Sequence, residues 1–389
     1  MPKLATSLVV AAALCACGTT ASTSDGGTGG ATGGSGGTSG GTSGGGDAGG
    51  QPIGNLPTEQ WTWVPVDGAL CRDGSATGIG VNYNPASTKL MIFLEGGGAC
   101  FNVLTCASNP STFGQTDFQA AFGAGGSEAS AGIFDRADSK NPVADWSFVY
   151  VPYCTGDLHG GNIPDGGTTD GLGPEAFVGY HNVALDLARV VPTFPHLTEV
   201  LLTGASAGGF GSLLNYDQVA AAFGAVPVEL LDDSGPPMST DYLAPCLQEL
   251  VTQTWNLAAT IVADCGAACQ GDGGFALPYL QHVAGSHPDR AMGLADSTHD
   301  GVISDFFGIG LSNCAGGSAM PPAMFEQGLL DIRTEMASYP NFGLCAFPGT
   351  DHTSLEDSNF DSRVAGDAGY PLTTWTADIV DGGVLNVGP

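Results

Sequence analysis

The stretch TGASAGGFGS, Thr203 to Ser212, places one hydroxyl among small residues. A serine is a poor nucleophile until a base takes its proton and N–H donors stabilise the oxyanion that forms on attack. Gly204, Ala205, Ser206, Ala207 and Gly208 fit G-x-S-x-G, directly after an apolar run and directly before a helix-like stretch. That context predicts a nucleophile elbow, in which small residues permit the tight turn and the helix N-terminus aims amides at the serine. The N–H of Ala207 is then one oxyanion donor, and a second comes from the loop after an earlier strand. LEGGGAC, Leu94 to Cys100, supplies that loop with Gly96, Gly97 and Gly98.

A base and an orienting acid should follow in the order Ser, Asp/Glu, His. Of seven histidines, His282, His287, His299 and His352 lie after Ser206. His352 stands in PGTDHTSLED, a loop after the last apolar run, where a base could swing back over the elbow. His299 is a poor rival, since it adjoins Asp300 and adjacent loop side chains rarely face one another. LADSTHDGVISDF offers Asp296, Asp300 and Asp305 as the acid, and LLDDSGPP offers Asp232 and Asp233. Spacing alone does not choose among them.

These residues need elements to hold them. Runs rich in Val, Ile, Leu and Phe, bounded by turn residues, predict buried strands at 89–95, 146–153, 199–204, 228–233, 290–296 and 342–347. Helix-like stretches cover 175–191, 211–223 and 322–339. Strands alternating with helices imply a mostly parallel sheet flanked by helices, with sites at the carboxyl ends of the strands. The fold class is α/β, and with the elbow motif it is α/β-hydrolase-like.

Residues 1–17, MPKLATSLVVAAALCAC, carry a cation at Lys3 and an apolar run too short to span a bilayer, which reads as a secretory signal. LCAC resembles the lipobox of bacterial lipoproteins, with Cys17 as the lipidated residue and Cys15 an unusual occupant of the second position. Residues 18–54 are almost all Gly, Thr, Ser and Ala at first, a flexible tether with little to bury. Residues 55–389 are expected to form one α/β-hydrolase-like domain carrying the elbow. The expected localisation is therefore exported: a bacterial cell-envelope lipoprotein, or a secreted protein.

Nine Lys+Arg against 39 Asp+Glu give a net charge of -30, and the basic residues are scattered. Without a basic patch, nucleic acid and anionic headgroups are not expected partners, and the membrane is reached through the lipid anchor only. The same charge disfavours a strongly anionic polymer as substrate. With Cys15 and Cys17 set aside, nine cysteines remain in an oxidising compartment. Disulfides are expected, with at least one cysteine left over. No His/Cys set has zinc spacing, so no metal is expected.

The chain is similar to the pectin acetylesterase and Notum family of carboxylesterases. The resemblance runs through CRDGSATGIG, LMIFLEGGGACFNVLTC, VYVPYCTGDLHGG, LTGASAGGFGSLLNYDQVA, LDDSGPP, DSTHDGVIS and GTDHTSL. It implies Ser206 as nucleophile, Asp300 as acid and His352 as base, with Gly97, Gly98 and Ala207 around the oxyanion. It also implies disulfides Cys100–Cys106 and Cys71–Cys154. The family carries a bulky aromatic after the second glycine of the oxyanion loop, whereas Gly98 and Ala99 stand there in this chain. The expected function is a cofactor-free serine carboxylesterase acting on O-acyl, most simply O-acetyl, esters of an acylated glycan, as a monomer. Two alternatives stand beside it. One is a lipid- or polyester-acyl esterase with the same triad. The other is a non-catalytic carbohydrate-binding lipoprotein, which needs exposed aromatics to stack on sugar rings, with Trp61, Trp63, Trp255 and Trp375 as candidates.

Overall fold

Side chains alternate across a strand, so a strand buried on both faces reads as an unbroken apolar run. The computed structural model describes residues 50–168, 174–270, 274–366 and 369–388. Eight strands form its main sheet: β1 Trp61–Leu70, β2 Ala76–Asn82, β3 Lys89–Leu94, β4 Ser147–Val151, β5 Glu199–Ala205, β6 Val228–Asp233, β7 Met292–Ser297 and β8 Phe342–Phe347. Their order is β1-β2-β4-β3-β5-β6-β7-β8. β1 and β2 are antiparallel, as are β2 and β4, and every pairing from β4 to β8 is parallel.

Leu90, Ile92 and Leu94 of β3 join a core with Leu202 and Leu230, while Met91 and Phe93 join a second core with Leu201 and Leu231. Helices Gly179–Thr193 and Ala207–Leu214 cover the first face through Val183, Leu187 and Leu213. Helix Leu372–Val380 covers the second through Trp375 and Ile379. The sheet is thus mostly parallel and flanked by helices, and the loops after β3, β5, β6, β7 and β8 gather at its carboxyl end.

Several elements differ from the sequence reading. β1 and β2 are additional strands; β1 has exposed positions and Pro65, and β2 carries Gly78 and Gly80, so neither reads as an apolar run. The helix expected from Glu175 begins at Gly179, because Pro174–Phe177 pairs with Ile163–Thr168 as an antiparallel hairpin. The helix expected over 211–223 breaks at Asn215 into Ala207–Leu214 and Tyr216–Phe223.

Cys71–Cys154 and Cys100–Cys106 are bonded, together with Cys246–Cys314 and Cys265–Cys269. Cys345 is free and buried. The tryptophans are not the exposed platforms a sugar binder needs. Trp255 and Trp375 are fully buried, while Trp61 and Trp63 are half-buried against Phe118. The signal, Cys17 and the tether up to residue 49 lie outside the described residues. Among the described residues no helix is long and apolar enough to cross a membrane.

Burial raises several carboxyls: Asp186 and Glu356 to about 8, Glu95 and Glu229 to about 7. An acid held neutral in the fold costs nothing below the ordinary carboxyl pKa of about 4, and its penalty grows as pH rises toward the folded value. His159, pushed down to about 4 by burial, works in the opposite sense between pH of about 4 and 6.5. Above that window only the carboxyls act. The melting temperature is therefore expected to fall between pH 6.5 and 8, and a rise over that interval in calorimetry would contradict this.

Candidate active site

Ser206 is the residue between β5 and helix Ala207–Leu214, with φ 59° and ψ -118°. A non-glycine residue at positive φ is strained, and such strain collects at functional sites. The turn requires glycine on both sides of the serine. A Cβ on Gly204 would lie 2.3 Å from the Gly208 oxygen, and one on Gly208 would lie 1.9 Å from the Leu94 oxygen. The elbow therefore packs directly on the end of β3, beside the glycine loop that follows it.

His352 and Asp300 meet: Nδ1 of the ring lies 2.6 Å from Oδ2 of the carboxylate. Asp300 is fully buried and caps helix Gly301–Leu311, its Oδ1 accepting the N–H groups of Val302 at 2.8 Å and Ile303 at 2.9 Å. One oxygen is fixed by the helix and the other by the ring. Carboxylate contact at Nδ1 places the proton there and leaves Nε2 as the basic nitrogen. Ser206 is tied to the same loop through Asp233. Its N–H donates to the Asp233 carbonyl at 2.7 Å, and the Asp233 carboxylate accepts the N–H groups of Ser354 and Leu355.

The other candidates have separate places. Asp305 is exposed on helix Gly301–Leu311. Asp232 accepts the Gly235 N–H at 2.9 Å. Asp296 is buried beside Asp300, and burial together with the Asp300 charge pushes its carboxyl well above the usual range, favouring its neutral form. His299 pairs with Glu326 at 3.3 Å, and His282 and His287 both pair with Asp217.

The glycine loop is held by groups its own sequence does not reveal. The Gly97 carbonyl accepts from Asn109 Nδ2 at 2.8 Å and the Gly98 carbonyl from the Tyr153 hydroxyl at 2.9 Å. Gly98 has φ 85°, which favours glycine. A Cβ on Gly97 would come within 2.6 Å of the Tyr153 ring. Tyr153 also donates its own N–H to Glu95, and His159 Nε2 meets the Glu95 carbonyl at 2.9 Å. Both carbonyls are thus engaged, and Ala207 stands at the first position of its helix, where an amide has no partner within the helix. Tyr153 follows the strand beside β3, nothing local marks Asn109, and LLDDSGPP offered Asp233 only as a candidate acid.

Ser206, Ala207 and Gly98 line a cavity of about 80 Å³. Its other walls include Phe210, Leu247, Val251, Trp255, Ala276 and Phe307, and its lining is almost wholly apolar. Gly98 and Ala99 both line this space.

A pectinacetylesterase family model matches residues 62–261, just over half of the chain. Palmitoleoyl-protein carboxylesterase notum2 of Xenopus laevis is 32% identical over 163 residues, 39% of this chain and 30% of that protein. The NOTUM of Schmidtea mediterranea is 36% identical over 155 residues, 38% and 28% of the two chains. The human NOTUM is 31% identical over 178 residues, 42% and 34%. The chain thus spans about a third of the length of these relatives. The structure of the Wnt deacylase Notum from Drosophila superposes with a TM-score of 0.60 at 18% identity, covering 85% of this chain and 96% of that one, so the fold is shared. The glycine loop and the elbow both fall inside the matched span, and the chain belongs to the pectinacetylesterase family.

Proposed function

We propose that this protein is a serine carboxylesterase in which Ser206, His352 and Asp300 form the triad. The observation that carries the reading is the 2.6 Å contact from His352 to the buried, helix-capping Asp300, in a loop tied through Asp233 to the strained Ser206. His352 Nε2 takes the Ser206 proton as the hydroxyl attacks the ester carbonyl. The amides of Ala207 and of Gly97 or Gly98 bind the tetrahedral oxyanion. The imidazolium, stabilised by Asp300, returns its proton to the leaving alcohol. Water then attacks the acyl-enzyme by the same route, releasing the acid and restoring Ser206. No step needs a metal or organic cofactor. The protein works as an exported monomer, tethered through Cys17.

The cavity bears on the acyl group. One water needs roughly 10–15 Å³ on this measure, so about 80 Å³ of apolar space accommodates far more than an acetyl methyl. We therefore favour an apolar acyl chain over the O-acetyl group that the family's name suggests. The net charge of -30 weighs in the same direction, against a polyanionic polymer. The carbohydrate-binding alternative loses its support with its tryptophans buried or half-buried.

Hydrolysis of p-nitrophenyl acetate and octanoate tests both parts. Octanoate is expected to have the higher kcat/KM, and Ser206→Ala to remove both activities. Ala276→Leu, which adds carbons to the cavity wall, is expected to lower octanoate kcat/KM about tenfold and leave acetate within twofold, since one or two methylenes are worth about 1–3 kcal/mol in such a pocket. Preference for acetate would move the reading to an O-acetyl glycan. No turnover of either ester by the folded protein would overturn it.

A further inference from the structure

We propose that Asp233 is a positioning residue that locks the loop carrying the base to the nucleophile elbow; the proposal rests on the triad reading above. Asp233 ends β6, in parallel register with Ala205 of β5 and Ala295 of β7, and is fully buried. Its backbone carbonyl accepts the Ser206 N–H at 2.7 Å. Its Oδ2 accepts the N–H groups of Ser354 at 2.8 Å and Leu355 at 2.7 Å, 121 and 122 residues away, while Oδ1 accepts from the Ser234 hydroxyl at 3.0 Å. One residue thus holds the nucleophile by its main chain and the base loop by its side chain.

A second observation supports the same role. Three non-glycine residues around Asp233 have positive φ: Ser206 at 59°, Ser234 at 62° and Thr353 at 63°. Thr353 directly follows His352 and is β-branched, a residue type for which positive φ is an outlier. Strain of this kind persists only where the surroundings over-determine it. The two amides immediately after Thr353 are the ones the Asp233 carboxylate captures. Ser354 and Leu355 are 2% and 0% exposed, so water cannot replace the carboxylate unless the loop moves. Once the loop moves, His352 leaves its position relative to Ser206, and misplacement of that order slows chemistry more than it weakens binding.

The test compares Asp233→Ala with Asp233→Asn in the full chain, on a short p-nitrophenyl ester and by hydrogen exchange. Asp233→Ala is expected to lower kcat about 100-fold with KM within twofold, and to speed exchange at Ser354 and Leu355 while the sheet amides stay protected. Asp233→Asn keeps an acceptor oxygen for those amides and is expected to recover kcat to within about tenfold of wild type. Should Asp233→Ala not fold, Asp233→Ser, whose hydroxyl is too short to take both amides, is expected to behave as described for Ala. Unchanged kcat in the folded Ala or Ser variant, persisting protection at Ser354 and Leu355, or an Asn variant as impaired as Ala would each overturn the proposal. A wild type without Ser206-dependent turnover would instead remove the triad reading, leaving the exchange result to judge the lock alone.

Discussion

Replacing Ser206 with alanine is expected to cut ester turnover on the order of 10⁴-fold or more, and His352→Ala by a similar factor, because triad members act as a unit. That factor corresponds to about 5 kcal/mol of lost transition-state stabilisation. The fold should not register the first change. Alanine keeps the Cβ already accommodated at φ 59°, and the backbone N–H to Asp233 survives. Steady-state kinetics beside a melting curve separates the two effects. A Ser206→Ala protein that retained a tenth of the wild-type rate would put the nucleophile elsewhere.

The second large effect is expected from Asp300→Asn, and its cause is narrower. Asparagine is as good an N-cap as aspartate, so one side-chain oxygen can still take the N–H groups of Val302 and Ile303 and hold helix Gly301–Leu311. The other side-chain atom becomes an NH₂ donor facing His352 Nδ1, where Oδ2 now accepts at 2.6 Å. The ring must then turn its lone pair to Nδ1 and its proton to Nε2, which is the wrong tautomer for a base. Turnover is expected to fall about 10⁴-fold, as loss of the orienting acid does in serine hydrolases, with the melting temperature almost unchanged. Loss of fold without that kinetic signature would make Asp300 a capping residue only.

The six parallel strands and the elbow were legible because burial on both faces turns a strand into an apolar run and because the turn at Ser206 tolerates little beyond glycine. β1 and β2 were not legible, since Pro65, Gly78 and Gly80 imitate loop composition and the exposed positions of β1 break the run. Within the site, five aspartates were equal on spacing. What separates them is three-dimensional: Asp300 begins a helix and reaches the ring, Asp296 lies beside it with its neutral form favoured, and Asp305 points to solvent from the same helix. Asp233 was among the five, and it bonds two distant loops, accepting the Ser206 N–H at its carbonyl and the Ser354 and Leu355 N–H groups at its carboxylate. Tyr153 and Asn109 hold the glycine loop by contacts 55 and 12 residues apart in sequence, which no local pattern encodes.

Covalent trapping is the most direct measurement of the central claim. The protein is treated with a fluorophosphonate carrying an apolar chain, digested, and its labelled peptide mapped by mass spectrometry. The account predicts one adduct per chain, on Ser206, forming in step with the loss of esterase activity and much more slowly in His352→Ala. Stoichiometric loss of activity with the label on another residue, or full activity with Ser206 labelled, would contradict it.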